Sequence, residues 1–94
     1  MAKESDLAHI CKILSVDTRV RLLLLMKDRA LCVGALSARM NVTQGAVSQH
    51  LRILRDAGLV VSEKRGYFVH YRVNKKTLNK FKSIIDRLLT TETD

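Results

Sequence analysis

Cys11 and Cys32 are the two thiols of this chain, and the polar residues between Ser37 and Tyr67 include most of its other chemistry-bearing side chains. Thiolates are soft donors that suit As(III), Sb(III), Cd(II) or Pb(II), and two thiols can also close a disulfide. Twenty residues lie between the cysteines, so they form neither a CxxC pair nor a zinc-finger pattern, and only the fold can join them. His9 is two residues from Cys11, which puts it on another helical face and makes it a poor third ligand. Three readings therefore stand: Cys11 and Cys32 as metal or metalloid ligands, as a redox pair, or as small buried side chains that react with nothing. No cofactor is required by any of them.

The second group points to nucleic acid. Val47, Leu51 and Leu54 recur at helical spacing and predict the inward face of a helix. Its outward face then carries Gln44, Ser48, Gln49, Arg52 and Arg55. Gln and Ser hydrogen-bond base edges, and Arg reaches guanine or phosphate. Gly45 and Ala46 are small enough to let the helix N-terminus approach a phosphate. Thr43 is a good N-cap for this helix, and Ser37 and Thr43 add hydroxyls just before it. His50, beside the inward Leu51, either touches the DNA backbone or ties the helix to the core. Further on, Lys64, Arg65 and Tyr67 mark the basic tip of a hairpin, placed to lie over a groove or the sugar-phosphate backbone. The candidate DNA contacts are thus Ser37, Thr43, Gln44, Ser48, Gln49, His50, Arg52, Lys64, Arg65 and Tyr67.

The chain must supply elements that hold these residues. Its 94 residues suffice for one small domain, which buries only about 60–65% of its unfolded surface, so dimerisation would supplement its core. A hydrophobic content of 47% predicts a folded domain. The formal net charge of +8 favours an anionic partner. Leu22–Met26 is the longest apolar run, far below the roughly 20 residues of a membrane span. Lys3, Glu4 and Asp6 do not resemble the start of a secretory signal. A cytoplasmic protein without membrane association is expected.

Hydrophobic periodicity predicts a first helix over 5–14, capped by Ser5, with Leu7, Ile10, Cys11 and Leu14 on one stripe. Ser15 or Asp17 should cap a second helix through Lys27, its inner face Val20, Leu23 and Leu24, widened by Leu22 and Leu25. Residues 30–33 make a brief strand or the entry to a third helix over 34–40. The reading helix spans 44–57 and ends at Gly58. Strands at 59–61 and 68–73 flank a loop over 63–67; His70 and Tyr71 pack this hairpin. A last helix over 75–89 turns Leu78, Phe81, Ile85 and Leu88 inward. Ile84 and Leu89 exceed what one small core needs and suggest a helix-helix dimer seam. The expected class is mainly α with a small β-hairpin wing, a winged helix-turn-helix forming a single domain over 1–94.

The segments Ala30-Leu31-Cys32-Val33-Gly34-Ala35-Leu36 and Val47-Ser48-Gln49-His50-Leu51-Arg52-Ile53-Leu54-Arg55-Asp56-Ala57-Gly58-Leu59-Val60 resemble the ArsR/SmtB family of metalloregulatory repressors. Asp17-Thr18-Arg19-Val20-Arg21 and Arg65-Gly66-Tyr67-Phe68-Val69-His70-Tyr71-Arg72 fit the same pattern. The resemblance implies a homodimer joined through the first and last helices, bound to a pseudo-palindromic double-stranded DNA operator and released by an inducer. It also implies a dimer in which the first helix passes near the partner's Cys32 region, which brings a Cys11–Cys32 pair across subunits within reach as one of the three readings. The chain departs from the family at the inducer. Cys32 matches the first position of the frequent Cys-x-Cys pair, but Gly34 stands in the second. No His follows His70, so the Asp/His site of zinc and nickel sensors on the last helix is absent. Gly45 and Ala46 replace frequent Ser and Thr.

Enzyme chemistry is not expected. The sequence has no Ser/His/Asp arrangement with supporting glycines, no glycine-rich phosphate loop and no carboxylate pair in an apolar setting. A protein-interaction winged helix, or nonspecific DNA packing, is the alternative to a specific repressor.

Overall fold

The computed structural model describes residues 3–92. Helix α1 (Glu4–Ile13) starts one residue earlier than expected. Its cap is Lys3, whose backbone N–H donates to the Asp6 carboxylate at 3.0 Å, and Glu4 and Asp6 in the first turn suit the positive end of the helix dipole. Ser5 is therefore inside the helix. Ser15 does not cap α2 (Asp17–Met26) either, because its hydroxyl turns back to donate to the Lys12 carbonyl at 2.7 Å. Val16 precedes α2 without a side-chain cap.

The phase of α2 differs from the expected one. Leu22, Leu23 and Met26 are buried, whereas Val20 is 36% and Leu24 59% exposed. An unbroken apolar run has no phase of its own, so neighbouring elements decide which residues face inward.

Residues 31–32 form a short strand, β1 (Leu31–Cys32), which passes directly into α3 (Val33–Met40). Asn41 ends α3 in the left-handed region, φ 56°, and Val42 follows. The Ser37 hydroxyl donates to the Val42 carbonyl and closes this turn. Thr43 then caps α4 (Gln44–Asp56) as expected, its hydroxyl accepting from the Ala46 N–H at 3.1 Å. At the far end Gly58 takes φ 78°, and the Leu59 N–H reaches the Leu54 carbonyl at 2.9 Å. Glycine adopts that backbone without the Cβ clash that other residues meet.

The hairpin is longer than its apolar pattern suggested. Strand β2 (Val60–Arg65) pairs antiparallel with β3 (Phe68–Val73), from Val60 opposite Val73 to Arg65 opposite Phe68. Residues 63–65, expected in the loop, are strand, and the turn is Gly66-Tyr67 alone, with Gly66 at φ 64°. Backbone pairing across the hairpin overrides the polar character of Glu63-Lys64-Arg65. Strand β1 joins the other edge of β3, with Leu31 opposite Tyr71 and Cys32 opposite His70, giving the order β1-β3-β2.

Helix α5 (Lys75–Leu89) has the expected span, and its Asn74 cap accepts from the Thr77 N–H at 3.4 Å. Its face is rotated. Ile84 is buried, while Leu88 and Leu89 are 68% and 73% exposed. Helix α1 lies against α5, and Ile10, Phe81 and Ile84 line the groove between them. Because α1 touches the body on one side only, Ile10 is buried and Cys11, next to it on the helix, is exposed. Cys11 is thus not a core side chain. The core sits where Leu22 and Met26 of α2, Leu36 of α3, Leu51 and Leu54 of α4, and Val60 of β2 meet.

Candidate nucleic-acid interface

Helix α4 divides cleanly into two faces. Val47, Leu51 and Leu54 are at most 1% exposed, which anchors the helix on the core. Gln44, Ser48, Gln49, Arg52 and Arg55 are all exposed, as are Gly45 and Ala46 at the N-terminal turn. Ser48, Arg52 and Arg55 share a shallow hollow with Tyr71 of β3. A second hollow lies between Gln44, Gly34 and Cys32 on one side and Tyr67, Phe68 and Tyr71 on the other. The exposed face of α4 therefore adjoins the hairpin, and the candidate base-reading and phosphate-binding side chains lie on neighbouring surfaces.

Lys64 is exposed near the hairpin tip, and Tyr67 is 99% exposed in the turn itself. Arg65 is also exposed, but its guanidinium Nη2 lies 2.7 Å from Glu63 Oε1, which Arg72 approaches at 4.0 Å. Glu63 thus offsets part of the charge on Arg65. Lys64 makes no ion pair among the described residues, so it is the stronger phosphate candidate. Lys64→Ala should lower the magnitude of the slope of log K against log salt by about 0.9 for each binding unit engaged. A salt titration of DNA binding reads this directly, and an unchanged slope removes Lys64 from the interface.

Sequence periodicity did not single out Phe68 and Val69, yet they are 63% and 42% exposed beside Tyr67. Large apolar side chains at a basic tip suit contact with sugars and base edges in a minor groove. Alternation within a strand predicts one exposed residue in two, and here the hairpin tip projects far enough to expose consecutive ones.

Three of the candidate side chains are engaged in hydrogen bonds within the fold. The hydroxyls of Ser37 and Thr43 serve the turn and the α4 cap. His50 is half-buried, and its Nδ1 accepts from Arg19 Nε at 3.3 Å. Only its Nε2 remains for a backbone contact to DNA.

Cys11 is exposed on α1 and Cys32 half-buried in β1. No group of three His, Cys, Asp or Glu side chains among the described residues is placed to hold a metal ion. A trigonal thiolate site is therefore not built within those residues. His70, opposite Cys32, has a buried Nδ1 without a hydrogen-bond partner.

Comparison with known proteins agrees with the fold. Residues 17–62 match the family described as bacterial regulatory protein, arsR family. The arsenical resistance operon repressor of Escherichia coli strain K12 is 37% identical over 67 residues, which is 70% of this chain and 57% of that protein. The chain thus spans little more than half the length of that relative. The transcriptional activator HlyU of Vibrio cholerae is 34% identical over 94% of this chain and 82% of its own length. Among solved structures, an ArsR-like transcriptional regulator from Rhodococcus sp. RHA1 superposes with a TM-score of 0.80 at 31% identity, covering 89% of this chain and 79% of that one. On the extent of these matches and the shared winged helix-turn-helix architecture, the chain belongs to the arsR family of bacterial regulatory proteins.

Proposed function

We propose that this protein is a sequence-specific transcriptional repressor, a homodimer that holds an operator duplex through α4 and the hairpin wing and is released by a thiol-reactive inducer. The observation that carries the reading is the division of α4, whose apolar face is fully buried while Gln44, Ser48, Gln49, Arg52 and Arg55 face solvent beside a basic wing. A charge of +8 supplies the long-range attraction. No helix among the described residues is long and apolar enough to cross a membrane, and a DNA-bound repressor works in the cytoplasm.

The dimer rests on α1 and α5. Leu88 and Leu89 are the most exposed leucines of the fold, and they extend α5 past the buried Ile84. The radius of gyration of 14.7 Å exceeds the about 12 Å expected for a compact chain of this length, which fits a protomer with an outlying helix end and wing. Two protomers would place two α4 helices one DNA turn apart, as a pseudo-palindromic operator requires. Equilibrium sedimentation should give twice the 10.7 kDa chain mass, and a monomer at micromolar concentration contradicts the arrangement.

The inducer is a soft, thiol-reactive metalloid or metal, such as As(III), Sb(III), Cd(II) or Pb(II). Cys11 and Cys32 are its candidate ligands. Since the described residues of one protomer offer no three-ligand group, the response rests on thiols contributed by two protomers or on fewer protein donors. The test is fluorescence anisotropy of the reduced protein on its operator with arsenite. The wild type should release the duplex, while a Cys11→Ser/Cys32→Ser variant binds as tightly and no longer responds. A double variant that still responds to arsenite ends the thiol reading but leaves the repressor intact.

A further inference from the structure

Arg19, near the start of α2, bridges three helices. Its Nε donates to His50 Nδ1 of α4 at 3.3 Å, and its Nη1 donates to the Ile13 carbonyl at the end of α1 at 3.0 Å. The Arg19–His50 bond joins residues 31 positions apart; every other side-chain hydrogen bond among the described residues spans six positions or fewer. We infer that Arg19 is a positioning residue for operator binding, one that fixes the rotation of α4 about its axis and ties it to α1. The inference rests on α4 being the DNA-reading helix.

The argument turns on direction. Val47, Leu51 and Leu54 hold α4 through apolar contact, which is strong but not directional. Such packing leaves a helix some freedom to roll, and a small roll moves Ser48, Gln49 and Arg52 off the base edges they must meet. His50 lies at the boundary between the exposed Gln49 and the buried Leu51. A hydrogen bond there sets the roll of both faces at once, because angular preference is what distinguishes a hydrogen bond from dispersion.

The guanidinium suits this position. Its planar fork presents several donors in fixed directions, whereas an ammonium is a compact point charge. One arm meets the Ile13 carbonyl, among the last carbonyls of α1, which have no partner within the helix and favour a cation. The other meets a ring nitrogen that accepts only while the imidazole is neutral and carries its proton on Nε2. Helix α1 packs in turn on α5, so the bridge connects the reading helix to the pair of helices assigned to the dimer.

The test compares Arg19→Lys, which keeps the charge but loses the fork, with His50→Ala, the double variant, and His50→Asn, whose side-chain oxygen can take the place of Nδ1. Anisotropy is read on the operator and on a random duplex of equal length, at several salt concentrations, after thermal melts show each variant folded. Arg19→Lys and His50→Ala should each weaken operator binding on the order of tenfold, and the double variant should be no worse than either, since coupled residues are not additive. Random-duplex affinity and the salt slope should stay as in the wild type, and His50→Asn should restore most of the operator preference. Should Arg19→Lys not fold, His50→Ala against His50→Asn makes the same comparison. Full operator affinity in both single variants, or losses that multiply in the double, overturns the inference. Random-duplex affinity lowered in His50→Ala as much as operator affinity overturns it too, by placing His50 on the DNA backbone. If the wild type itself shows no operator preference, the DNA reading and this inference both fall, whereas wild-type preference with indifferent variants removes this inference alone.

Discussion

Leu51→Ala should destabilise the fold by about 2–5 kcal/mol, the cost of removing most of a buried leucine and leaving a cavity. Leu51 is 1% exposed, and its neighbours in the core include Val47 and Leu54 of the same helix. A small domain has only about 5–15 kcal/mol of net stability, so the loss takes a large share of the total. It also falls on the one helix that carries the candidate base contacts. Urea unfolding measures it as a lower midpoint with the slope unchanged. Leu24→Ala is the paired control. Leu24 is 59% exposed on α2, and its truncation should change stability by less than about 0.5 kcal/mol. Equal losses at Leu24 and Leu51 would contradict the observed phase of α2.

Arg52→Ala should weaken operator binding by about 1–3 kcal/mol, roughly five- to 150-fold, and relax the preference at one base pair. Arg52 lies one helical turn beyond Ser48 on the exposed face of α4, and both border the hollow that reaches Tyr71. A guanidinium so placed can bond guanine O6 and N7 in the major groove. Binding to an operator series with each base pair changed in turn separates this role from a phosphate contact. A base reader loses discrimination at one position, whereas a phosphate contact weakens all sequences alike and lowers the salt slope. Uniform loss across the series would move Arg52 from base reading to positioning.

Much of this architecture was legible in the residues. The i, i+4, i+7 spacing of Val47, Leu51 and Leu54 set the buried face of α4, and the polar residues between them then had to face solvent. Thr43 and Gly58 marked its ends because capping and left-handed backbone are local chemistry, independent of the rest of the fold. Elements whose limits depend on distant partners were harder to read. Leu22 to Met26 is apolar at every position, so only tertiary packing could select Leu22, Leu23 and Met26 over Val20 and Leu24. Ser62 to Arg65 carries no strand pattern and is held extended by pairing with β3. Ile84 and Leu88 exchanged roles because α5 buries its face chiefly against α1, whose position no local pattern reveals. In the candidate site, α4 and the basic tip were legible, but the exposure of Phe68 and the bridge from Arg19 to His50 were not. A hydrogen bond between side chains 31 positions apart leaves no periodic trace.

Fluorescence anisotropy on the DNA upstream of the protein's own coding region, against a scrambled duplex of equal length and across a salt series, tests the central claim most directly. Specific regulators bind their sites about 10³- to 10⁷-fold more tightly than random duplex at physiological salt, and counterion release gives a steep negative slope of log K against log salt. The account predicts a preference of that order for the upstream DNA, with the salt dependence of both duplexes set by exposed cations such as Lys64. Equal affinity for the two duplexes, or binding to neither, would contradict it.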